Sequence, residues 1–555
     1  MQSRVFWLAI TCLLFLPQVV RVQIADPDLW GRISVGAVLF QAGHLPRVDD
    51  FSYTANGAPW IDHEWLSGVL FYAVLDALGE PGLLLLKYGL FGSCFLLIFV
   101  LHGRLYRVAP IVTAAAVAAT SRGYLLGFLA TVRSQAFSFP FLLFFLYFLE
   151  SVRLERLTPR HLLWLIPAAA LWANLHGGVA MGLLAVGTYG AAELAMGRYR
   201  SARRMLALLP AMGVAMAILN PYGLDYLSFL AKAWTLDRTA IAEWQPLLAG
   251  GLNTENAVGA ALVLFGGVLA VGGSWDALLR RLRGAEADRN RPDALAPSAL
   301  LLLWIAMTLI AQRLLPFLAL TLAAVLPIYG RLWGSSPWLR ERAGAWATML
   351  SRTRIAGTIL LVLALVGASS WGWLSGGRPL LASVLPSERM GGGAMHAVYP
   401  DGAVRFLRDS PYAGNLLNPF TQGEFLYWTL YPKFRVAIDG RFEEVYDIAH
   451  FWDVFAFYQQ FAPGRPKRVI EYANRSGADF VIFRTTFRSL RVLASDPAWT
   501  TIYRDAAFAV LARREVLERR PPDPGAPEPT SRRASTIGDF FDDFDADARR
   551  FSEYP

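Results

Sequence analysis

The chain has 555 residues, of which 55% are hydrophobic and 17% are charged, and its mean hydropathy is +0.37. This composition is too apolar for a soluble enzyme and is typical of a polytopic membrane protein. The formal net charge of +9 does not indicate nucleic-acid binding, because the arginines lie between apolar runs, where lipid headgroups would meet them. Cys12 and Cys94 lie inside apolar runs and form no CxxC motif, zinc spacing or disulfide framework.

The apolar runs predict about eleven membrane-spanning helices. Residues 5–20 follow Arg4 and lack an A-x-A cleavage site, which favours a retained anchor over the alternative of a signal peptide. Residues 66–78 are apolar but short, which predicts an interfacial or re-entrant helix. The further predicted spans are 82–101, 110–130, 136–149, 162–173, 179–196, 205–219, 257–273, 299–311, 314–329 and 355–373.

An N-terminus inside the cell and a C-terminus outside it place the arginine-rich connections on one side, as the positive-inside rule requires. The other side then collects a different set of polar motifs. These are Asp26-Pro27-Asp28, Asp62-His63-Glu64-Trp65, Arg133-Ser134-Gln135, Asn174-Leu175-His176-Gly177-Gly178, Asn220-Pro221-Tyr222-Gly223, Glu243-Trp244-Gln245 and Gln312-Arg313. Ionisable groups at a membrane boundary need water or a ligand, so we predict a polar cavity at the outer face, built from many helix ends.

The remainder of the chain has mixed polarity. Residues 375–515 are predicted to form an extracytoplasmic α/β domain, with strands near 435–438, 479–483 and 508–511 and helices near 403–407 and 466–474. Residues 1–374 are predicted to form the transmembrane module, which includes a first outer loop at 22–81. Residues 516–555 begin with Pro-rich and Arg-rich sequence and end in acidic sequence, which predicts a disordered tail.

The outer-face motifs follow one another in an order that resembles a known family. The motifs are DPDLW, PRVDDFSYTANGAPWIDHEW, RSQAFSF, ANLHGG, LNPYG, EWQ and IDGR, and they lie between residues 20 and 445. This pattern is similar to the bacterial membrane proteins of the class C (GT-C) glycosyltransferase superfamily, of the protein O-mannosyltransferase and aminoarabinose transferase type. The resemblance implies transfer of a sugar from a polyprenyl-phosphate carrier to an acceptor hydroxyl outside the membrane, with an acidic residue of the first outer loop as base.

Asp28 and Asp26 are the predicted catalytic residues. Inverting glycosyl transfer needs a carboxylate that takes the acceptor proton while the bond to the leaving phosphate breaks. The chain has Asp26-Pro27-Asp28 where well-studied members of the resembling family have an Asp-Glu pair, so either aspartate is a candidate base. Pro27 disfavours helix at Asp26, and we expect the pair in an extended turn. The alternative is that one aspartate caps a following helix that includes residues 30–39.

Asp62, His63, Glu64 and Trp65 are predicted to bind substrate by orienting sugar hydroxyls, with Trp60 and Trp65 stacking on sugar faces. Three alternatives stay open: hydrogen bonds within the loop, anchoring of the tryptophans at the membrane interface, and a divalent metal. The motif lacks the second histidine of a zinc-binding helix.

The predicted phosphate-binding residues are Arg133, Arg313 and His176. A guanidinium is a planar, permanently charged fork that suits phosphate oxygens at the headgroup level. Contact with ordinary lipid phosphates is the alternative for both arginines, and a packing role is the alternative for His176. Asp439-Gly440-Arg441 is predicted as a tight turn, with contact to an acceptor as the alternative.

The sequence therefore predicts a membrane glycosyltransferase. The alternative is a non-catalytic transporter or scaffold that binds polysaccharide or lipid in the same outer cavity. The predicted partners are a polyprenyl-phosphate sugar donor, a lipid, glycan or protein acceptor, and membrane lipids, with no nucleic acid. The predicted location is a bacterial inner membrane. A transporter would need polar residues through the midplane and a repeat with broken helices, and the apolar runs are nearly free of ionisable residues.

Overall fold

The structure is a computed structural model that describes residues 4–9, 11–12, 26–125, 132–233, 235–236, 238, 241–252, 256–282, 293–334, 399–460 and 465–518. The chain divides into two compact units. We call one the helical unit, which comprises Met1–Gln23 and Leu78–Ser387. We call the other the sheet unit, which comprises Ile24–Ala77 and Glu388–Pro555. The first outer loop, predicted from the sequence as part of the transmembrane module, thus groups with the carboxy-terminal part of the chain.

The described residues are mostly helical. In chain order the α-helices are α1 (Pro27–Ala42), α2 (Trp65–Leu101), α3 (Pro110–Leu125), α4 (Gln135–Arg153), α5 (Leu165–Leu175), α6 (Val179–Ala195), α7 (Tyr199–Leu206), α8 (Leu208–Leu219), α9 (Leu224–Ala233), α10 (Ala257–Leu282), α11 (Leu295–Ile310), α12 (Leu315–Gly334), α13 (Asp401–Asp409), α14 (Gly423–Leu430), α15 (Ile448–Phe455), α16 (Pro466–Arg475), α17 (Arg488–Ala494) and α18 (Arg514–Glu518). Short 3₁₀ helices lie at Pro159–Trp164, Ala242–Trp244, Gln312–Leu314, Phe420–Gln422 and Phe442–Glu444, and π-helical turns at His102–Tyr106 and Ala456–Gln460.

Five helical segments among the described residues are long and apolar enough to cross a membrane, which makes the chain an integral membrane protein. They are Trp65–Tyr106, Gln135–Arg153, Tyr199–Leu219, Ala257–Leu279 and Gln312–Leu332. Shorter apolar helices lie at Pro110–Thr120, Val179–Ala195 and Leu295–Ile310. The predicted span 355–373 lies outside the described residues, as does most of 5–20. The count of about eleven spans stays a prediction.

Glycine and proline set the ends of α1 and the break in α2. Asp26 has an extended backbone and accepts a hydrogen bond from the Asp28 amide, so it is the N-cap of α1, and Pro27 occupies the first turn. Gly43 ends α1 in the left-handed conformation, with φ 75°. Gly79, with φ 65°, interrupts α2 directly after the predicted short helix 66–78.

The predicted extended turn at Asp26-Pro27-Asp28 is therefore wrong for Asp28, which lies within the first helical turn. Proline excludes helix only from the residue before it, and its fixed φ suits the first position of a helix. Asp26 is the aspartate that caps the helix, as the alternative interpretation stated.

The sheet unit contains a five-stranded mixed sheet. Its strands are β1 (Gly414–Leu417), β2 (Phe434–Val436), β3 (Phe480–Arg484), β4 (Trp499–Arg504) and β5 (Phe508–Arg513). They lie in the order β2-β1-β3-β5-β4, with β1 parallel to β2 and β3, and with β5 antiparallel to β3 and β4. Strands and helices are present at all five predicted positions of this region, whereas β1 and β4 were not predicted.

The first outer loop continues this sheet beyond β2. The Tyr53 amide donates to the Val436 carbonyl at 3.0 Å, and the Val436 amide donates to the Phe51 carbonyl at 3.1 Å. The Phe51 ring also stacks on Tyr427 of α14, with ring centroids 4.5 Å apart. Backbone pairing and aromatic packing together make the loop part of the core of the sheet unit, which gives its polar side chains defined positions.

Candidate active site

The first polar group of the sheet unit surrounds Gly440, which lies four residues after the end of β2. Asp28, on the first turn of α1, is half-buried, and Glu424, on the first turn of α14, is 2% exposed. A β-carbon built on Gly440 would lie 2.9 Å from Asp28 Oδ1 and 2.8 Å from Glu424 Oε1. The two carboxyl groups therefore converge on the space that a side chain at position 440 would fill. We call Asp28 and Glu424 the carboxyl pair.

Glu424 is held by the backbone of α1. The Gly31 amide donates to Glu424 Oε2 at 2.9 Å. Burial and the neighbouring charge of Asp28 raise the pKa of Glu424 well above its usual range, against a smaller opposite effect of Arg32. Glu424 was not predicted as a site residue, although a single acid within the apolar run GEFLYW is a visible signal.

A second group, which we call the His63 network, contains Arg32, Asp62, His63, Glu64 and Glu444. Arg32 of α1 lies between two carboxylates, with Nη1 2.5 Å from Asp62 Oδ1 and Nε 2.9 Å from Glu64 Oε2. His63 likewise lies between two carboxylates, with Nε2 3.4 Å from Glu64 Oε1 and Nδ1 3.2 Å from Glu444 Oε1. Cations and carboxylates thus alternate through the network.

The charges of the His63 network decide its protonation. Burial alone would lower the pKa of the His63 imidazole, but the Glu444 and Glu64 carboxylates raise it to about 10. Burial raises the pKa of Asp62 although the Arg32 charge opposes this shift. The pKa of Glu444 is lowered, because the His63 and Arg32 charges outweigh its burial. His63 is consequently an imidazolium at neutral pH.

This protonation state bears on the metal alternative for Asp62-His63-Glu64. A metal ligand must offer a lone pair, which an imidazolium does not have. Within the described part of the chain, no group of three or more His, Cys, Asp or Glu side chains is placed to hold a metal ion. Both ring nitrogens of His63 are instead engaged by carboxylates, those of Glu64 and Glu444.

A third group, which we call the Arg441 network, lies in the core of the same unit. The Arg441 guanidinium donates to Asp439 from Nε (2.8 Å) and from Nη2 (2.7 Å), and its Nη1 lies 2.7 Å from Asp49 Oδ1. The Tyr446 hydroxyl donates to Asp439 at 2.6 Å. Trp60 covers the guanidinium, with the ring centroid 4.7 Å from Arg441 Cζ.

The Arg441 network changes the interpretation of two predicted features. Trp60 is 3% exposed and packs on Arg441, so it does not present a face for sugar stacking. Arg441 itself is 2% exposed and Asp439 is buried, so these two residues of the predicted turn Asp439-Gly440-Arg441 are core residues. Trp65 is half-buried and begins α2.

The helical unit contains the predicted phosphate-binding arginines. Arg133 Nη1 and Nη2 donate to the two carboxylate oxygens of Glu243, at 2.8 Å and 3.0 Å, and Arg313 Nη1 donates to Glu243 Oε1 at 2.5 Å. Burial would raise the pKa of Glu243, but the Arg313 and Arg133 charges outweigh it and lower the pKa to about 2. The structure thus brings Arg133 and Arg313 together around one carboxylate.

His176 lies at the end of α5 in a hydrogen-bonded arrangement. The Gly178 amide donates to His176 Nδ1 at 2.8 Å, so this nitrogen carries no proton and accepts from the Ser138 hydroxyl at 2.7 Å. The Trp172 indole in turn donates to the Ser138 oxygen at 2.8 Å. These contacts select the Nε2–H tautomer of the neutral ring. Arg133, Arg313 and His176 belong to the helical unit and the acidic groups to the sheet unit, and the prediction that all of them line one cavity stays a prediction.

No protein-family model matches the sequence, and no curated protein is significantly similar to it. The chain is similar in fold to several solved structures, among them the three that follow. The archaeal oligosaccharyltransferase AglB from Archaeoglobus fulgidus, in complex with an inhibitory peptide and a dolichol-phosphate, has a TM-score of 0.54 at 12% identity, over 86% of this chain and 69% of that chain. ArnT from Cupriavidus metallidurans, bound to undecaprenyl phosphate, has a TM-score of 0.52 at 12% identity, over 92% of this chain and 97% of that chain.

The arabinofuranosyltransferase AftD from Mycobacteria has a TM-score of 0.51 at 15% identity, over 92% of this chain and 42% of that chain. All three proteins are GT-C glycosyltransferases. At these identities the likeness shows the fold, so this chain has the GT-C fold. The family resemblance seen in the ordered sequence motifs is confirmed at that level.

Proposed function

We propose that this chain, which has the GT-C fold, is an inverting membrane glycosyltransferase that moves a sugar from a polyprenyl-phosphate donor to an acceptor hydroxyl at the outer face of the membrane. The observation that carries the proposal is the fold likeness to ArnT bound to undecaprenyl phosphate, which extends over 92% of this chain and 97% of that chain. Part of the same proposal is a bacterial inner-membrane protein of about eleven spans, with its N-terminus inside and its C-terminus outside.

Asp28 is the proposed base. Its carboxylate accepts the proton of the acceptor hydroxyl while the hydroxyl oxygen forms a bond to the anomeric carbon of the sugar. The bond between the anomeric carbon and the phosphate oxygen breaks, and the polyprenyl phosphate leaves with the electron pair. Asp28 suits this role because it is half-buried on a rigid helical turn. Asp26 is assigned to capping, because its side chain accepts from the Asp28 amide.

Arg133 and Arg313 are the proposed ligands of the carrier phosphate. Both guanidinium groups already hold an anionic oxygen group, the Glu243 carboxylate, which Arg133 contacts in a forked geometry and Arg313 through Nη1. The same geometry suits the oxygens of a phosphate. His176 joins this proposal as a neutral donor, since its tautomer places the ring proton on Nε2.

Asp62, His63 and Glu64 have a different proposed role. Their charges are engaged within the His63 network, together with Arg32 and Glu444. We assign them to positioning of the first outer loop rather than to direct contact with the sugar. A contact of Trp65 with substrate remains part of the proposal.

The experiment that tests the proposal measures transfer from a panel of radiolabelled polyprenyl-phosphate sugars in membranes that contain the protein. The wild type is compared with Asp28→Asn at matched expression. The matched control is Asp50→Asn, because Asp50 is an exposed aspartate of the same loop. We expect Asp28→Asn to lower turnover by about 10²–10⁴-fold, the usual contribution of a general base, while donor binding persists.

The outcomes separate the two candidate functions. Consumption of a donor by the wild type and by Asp50→Asn, but not by Asp28→Asn, supports both the transferase and its base. Equal loss in both variants would remove Asp28 as the specific base. If the wild type consumes no donor but binds a lipid or glycan, the transporter or scaffold function takes the place of the transferase.

A further inference from the structure

The carboxyl pair contains an acid that the transfer mechanism does not use. Glu424 belongs to α14, about 400 residues along the chain from Asp28, and the fold brings both to Gly440. Oxygens of both side chains face the missing side chain of this glycine, at 2.8 Å and 2.9 Å from a β-carbon built there. A glycine at position 440 is what leaves room for the two carboxyl groups.

Glu424 is also hydrogen-bonded to α1, the helix that carries the proposed base Asp28. Its Oε2 accepts from the Gly31 amide, which lies one helical turn after Asp28 in α1. This hydrogen bond ties the Glu424 side chain to the backbone at the start of α1, close to Asp28. A β-carbon on Gly31 would meet the Glu424 carboxyl group and the Tyr427 hydroxyl, so α1 and α14 approach closely at this point.

The carboxyl pair differs from a simple packing contact because both side chains are acids, which carry like charge when ionised. Two ionised carboxylates in close proximity repel each other, which favours retention of a proton by one of them. The raised pKa of Glu424 agrees with Glu424 as the holder of that proton. The titratable groups that face Glu424 are Asp28 and Arg32 of α1, Asp439 of the turn after β2, Tyr427 of α14, and Tyr399.

We propose that Glu424 is a positioning residue for Asp28, a neutral carboxylic acid that holds the start of α1 in place without adding negative charge beside Asp28. This inference rests on the proposed function, because it gives Asp28 the role of base. Loss of the Glu424 proton places a second negative charge beside Asp28 and disturbs its position. Transfer is therefore expected to fall as the pH rises through the ionisation of Glu424.

The kinetic test compares pH profiles of sugar transfer for the wild type, Glu424→Gln and Glu424→Ala. Glutamine keeps an oxygen that accepts from the Gly31 amide and never ionises, so kcat at the wild-type optimum stays within about threefold and the alkaline decline disappears. Alanine removes the acceptor, so kcat falls at least about tenfold with an unchanged KM. Glu471→Gln, at an exposed glutamate of α16, is the matched control and keeps the wild-type profile.

A merely structural Glu424 gives a different result. In that case Glu424→Gln keeps the alkaline decline of the wild type, and this outcome overturns the inference. Gly440→Ala provides a second variant, since its methyl group would press on both carboxyl groups. We expect a lower kcat at an unchanged KM, whereas Gly330→Ala, where an added β-carbon meets no atom within 4 Å, leaves kcat unchanged.

An infrared titration tests the pair without turnover. The purified wild type is expected to show the carbonyl band of a protonated carboxylic acid at neutral pH, and Glu424→Gln to lose it. Asp28→Asn removes the neighbouring charge, so the band is expected to titrate at lower pH than in the wild type. Persistence of the full band in Glu424→Gln, or an unshifted titration in Asp28→Asn, would contradict the inference.

The two assays also separate this inference from the proposed function. If the wild type transfers sugar but the Glu424→Gln profile is unaltered, the inference fails and the transferase stands. If the wild type transfers no sugar from any donor while the infrared band is present, the transferase fails, and the positioning role of Glu424 fails with it.

Discussion

The Arg441 network and the carboxyl pair lie next to each other, since Arg441 directly follows Gly440, the residue that both acids of the pair face. In the Arg441 network, the carboxylates of Asp49 and Asp439 both meet the guanidinium, at 2.7 Å from Nη1 and at 2.7–2.8 Å from the other nitrogens. In the carboxyl pair, two acids face each other across Gly440, and the contact that holds Glu424 is the neutral Gly31 amide. The same unit thus buries acids in two different ways.

This difference distinguishes acids that support the fold from acids that are suited to proton transfer. Acids that are matched by cations act as fixed supports of the fold. Acids placed beside like charge have protonation states that respond to each other, as the acid and base groups of enzymes do. The carboxyl pair is therefore the part of the sheet unit that is suited to proton transfer, and the Arg441 and His63 networks are suited to hold it in place.

The largest expected effect comes from a substitution that breaks the Arg441 network. Arg441→Met keeps the size of the side chain but leaves Asp49 and Asp439 buried without their cation, which typically costs about 3–5 kcal/mol of folding free energy. Thermal and denaturant unfolding of the purified protein measure this loss. Arg491→Met, at an exposed arginine of α17, is the control and changes stability by less than about 0.5 kcal/mol. A stable Arg441→Met protein would mean that this network is not a support of the fold.

An intermediate effect comes from His63, whose side chain is 15% exposed. Its pKa in the folded protein, about 10, is raised from an ordinary value of 6.5. The stability that the charged ring contributes is fully present below pH 6.5 and is lost as the pH rises from 6.5 to 10. His63→Gln is expected to cost on the order of 2–4 kcal/mol at pH 6 and clearly less at pH 10.

The measurement for His63 is the unfolding free energy of wild type and His63→Gln across this pH range. His44→Gln is the matched control, since His44 is exposed. A difference between wild type and His63→Gln that stays constant from pH 6 to pH 10 would show that His63 is neutral, and the His63 network would then resemble the carboxyl pair more than the Arg441 network.

The smallest expected effect concerns Glu243 of the helical unit, whose side chain is 32% exposed. Solvent screens its ion pairs with Arg133 and Arg313, so Glu243→Gln is expected to cost only about 1 kcal/mol at neutral pH. Because the pKa of Glu243 is lowered from 4.5 to about 2, this contribution is present above pH 4.5 and is lost as the pH falls toward 2. Unfolding at pH 7 and pH 3 measures it.

A loss at Glu243 as large as that at Arg441 would contradict the dependence on burial that orders these three predictions. Glu155→Gln, at an exposed glutamate after α4, is the control for the removal of one negative charge. Together the three variants show whether charge matching supports the fold in proportion to its burial.

Several elements of the fold could be predicted from the chain because they depend on local periodicity. The apolar helices α4, α6, α10 and α12 overlap predicted spans. The strands near residues 435, 480 and 508 were predicted from short runs of β-branched and aromatic residues. Helix starts were less certain, as Asp26 shows: an aspartate before proline suits both an extended turn and an N-cap, and the side-chain contact decides between them.

The acidic loop was recognised from composition, but its chemistry was not. The sequence showed that Asp28, Asp62, His63 and Glu64 are polar residues that follow an apolar run, and ordered motifs indicated a GT-C glycosyltransferase. Only the tertiary structure decided which acids are matched by Arg32 and Arg441 and which acid stands beside Asp28. Glu424 is distant from Asp28 in sequence, and local patterns carry no information on charge contacts between such residues. The physical reason is that protonation depends on burial and on neighbours in space, which the fold alone brings together.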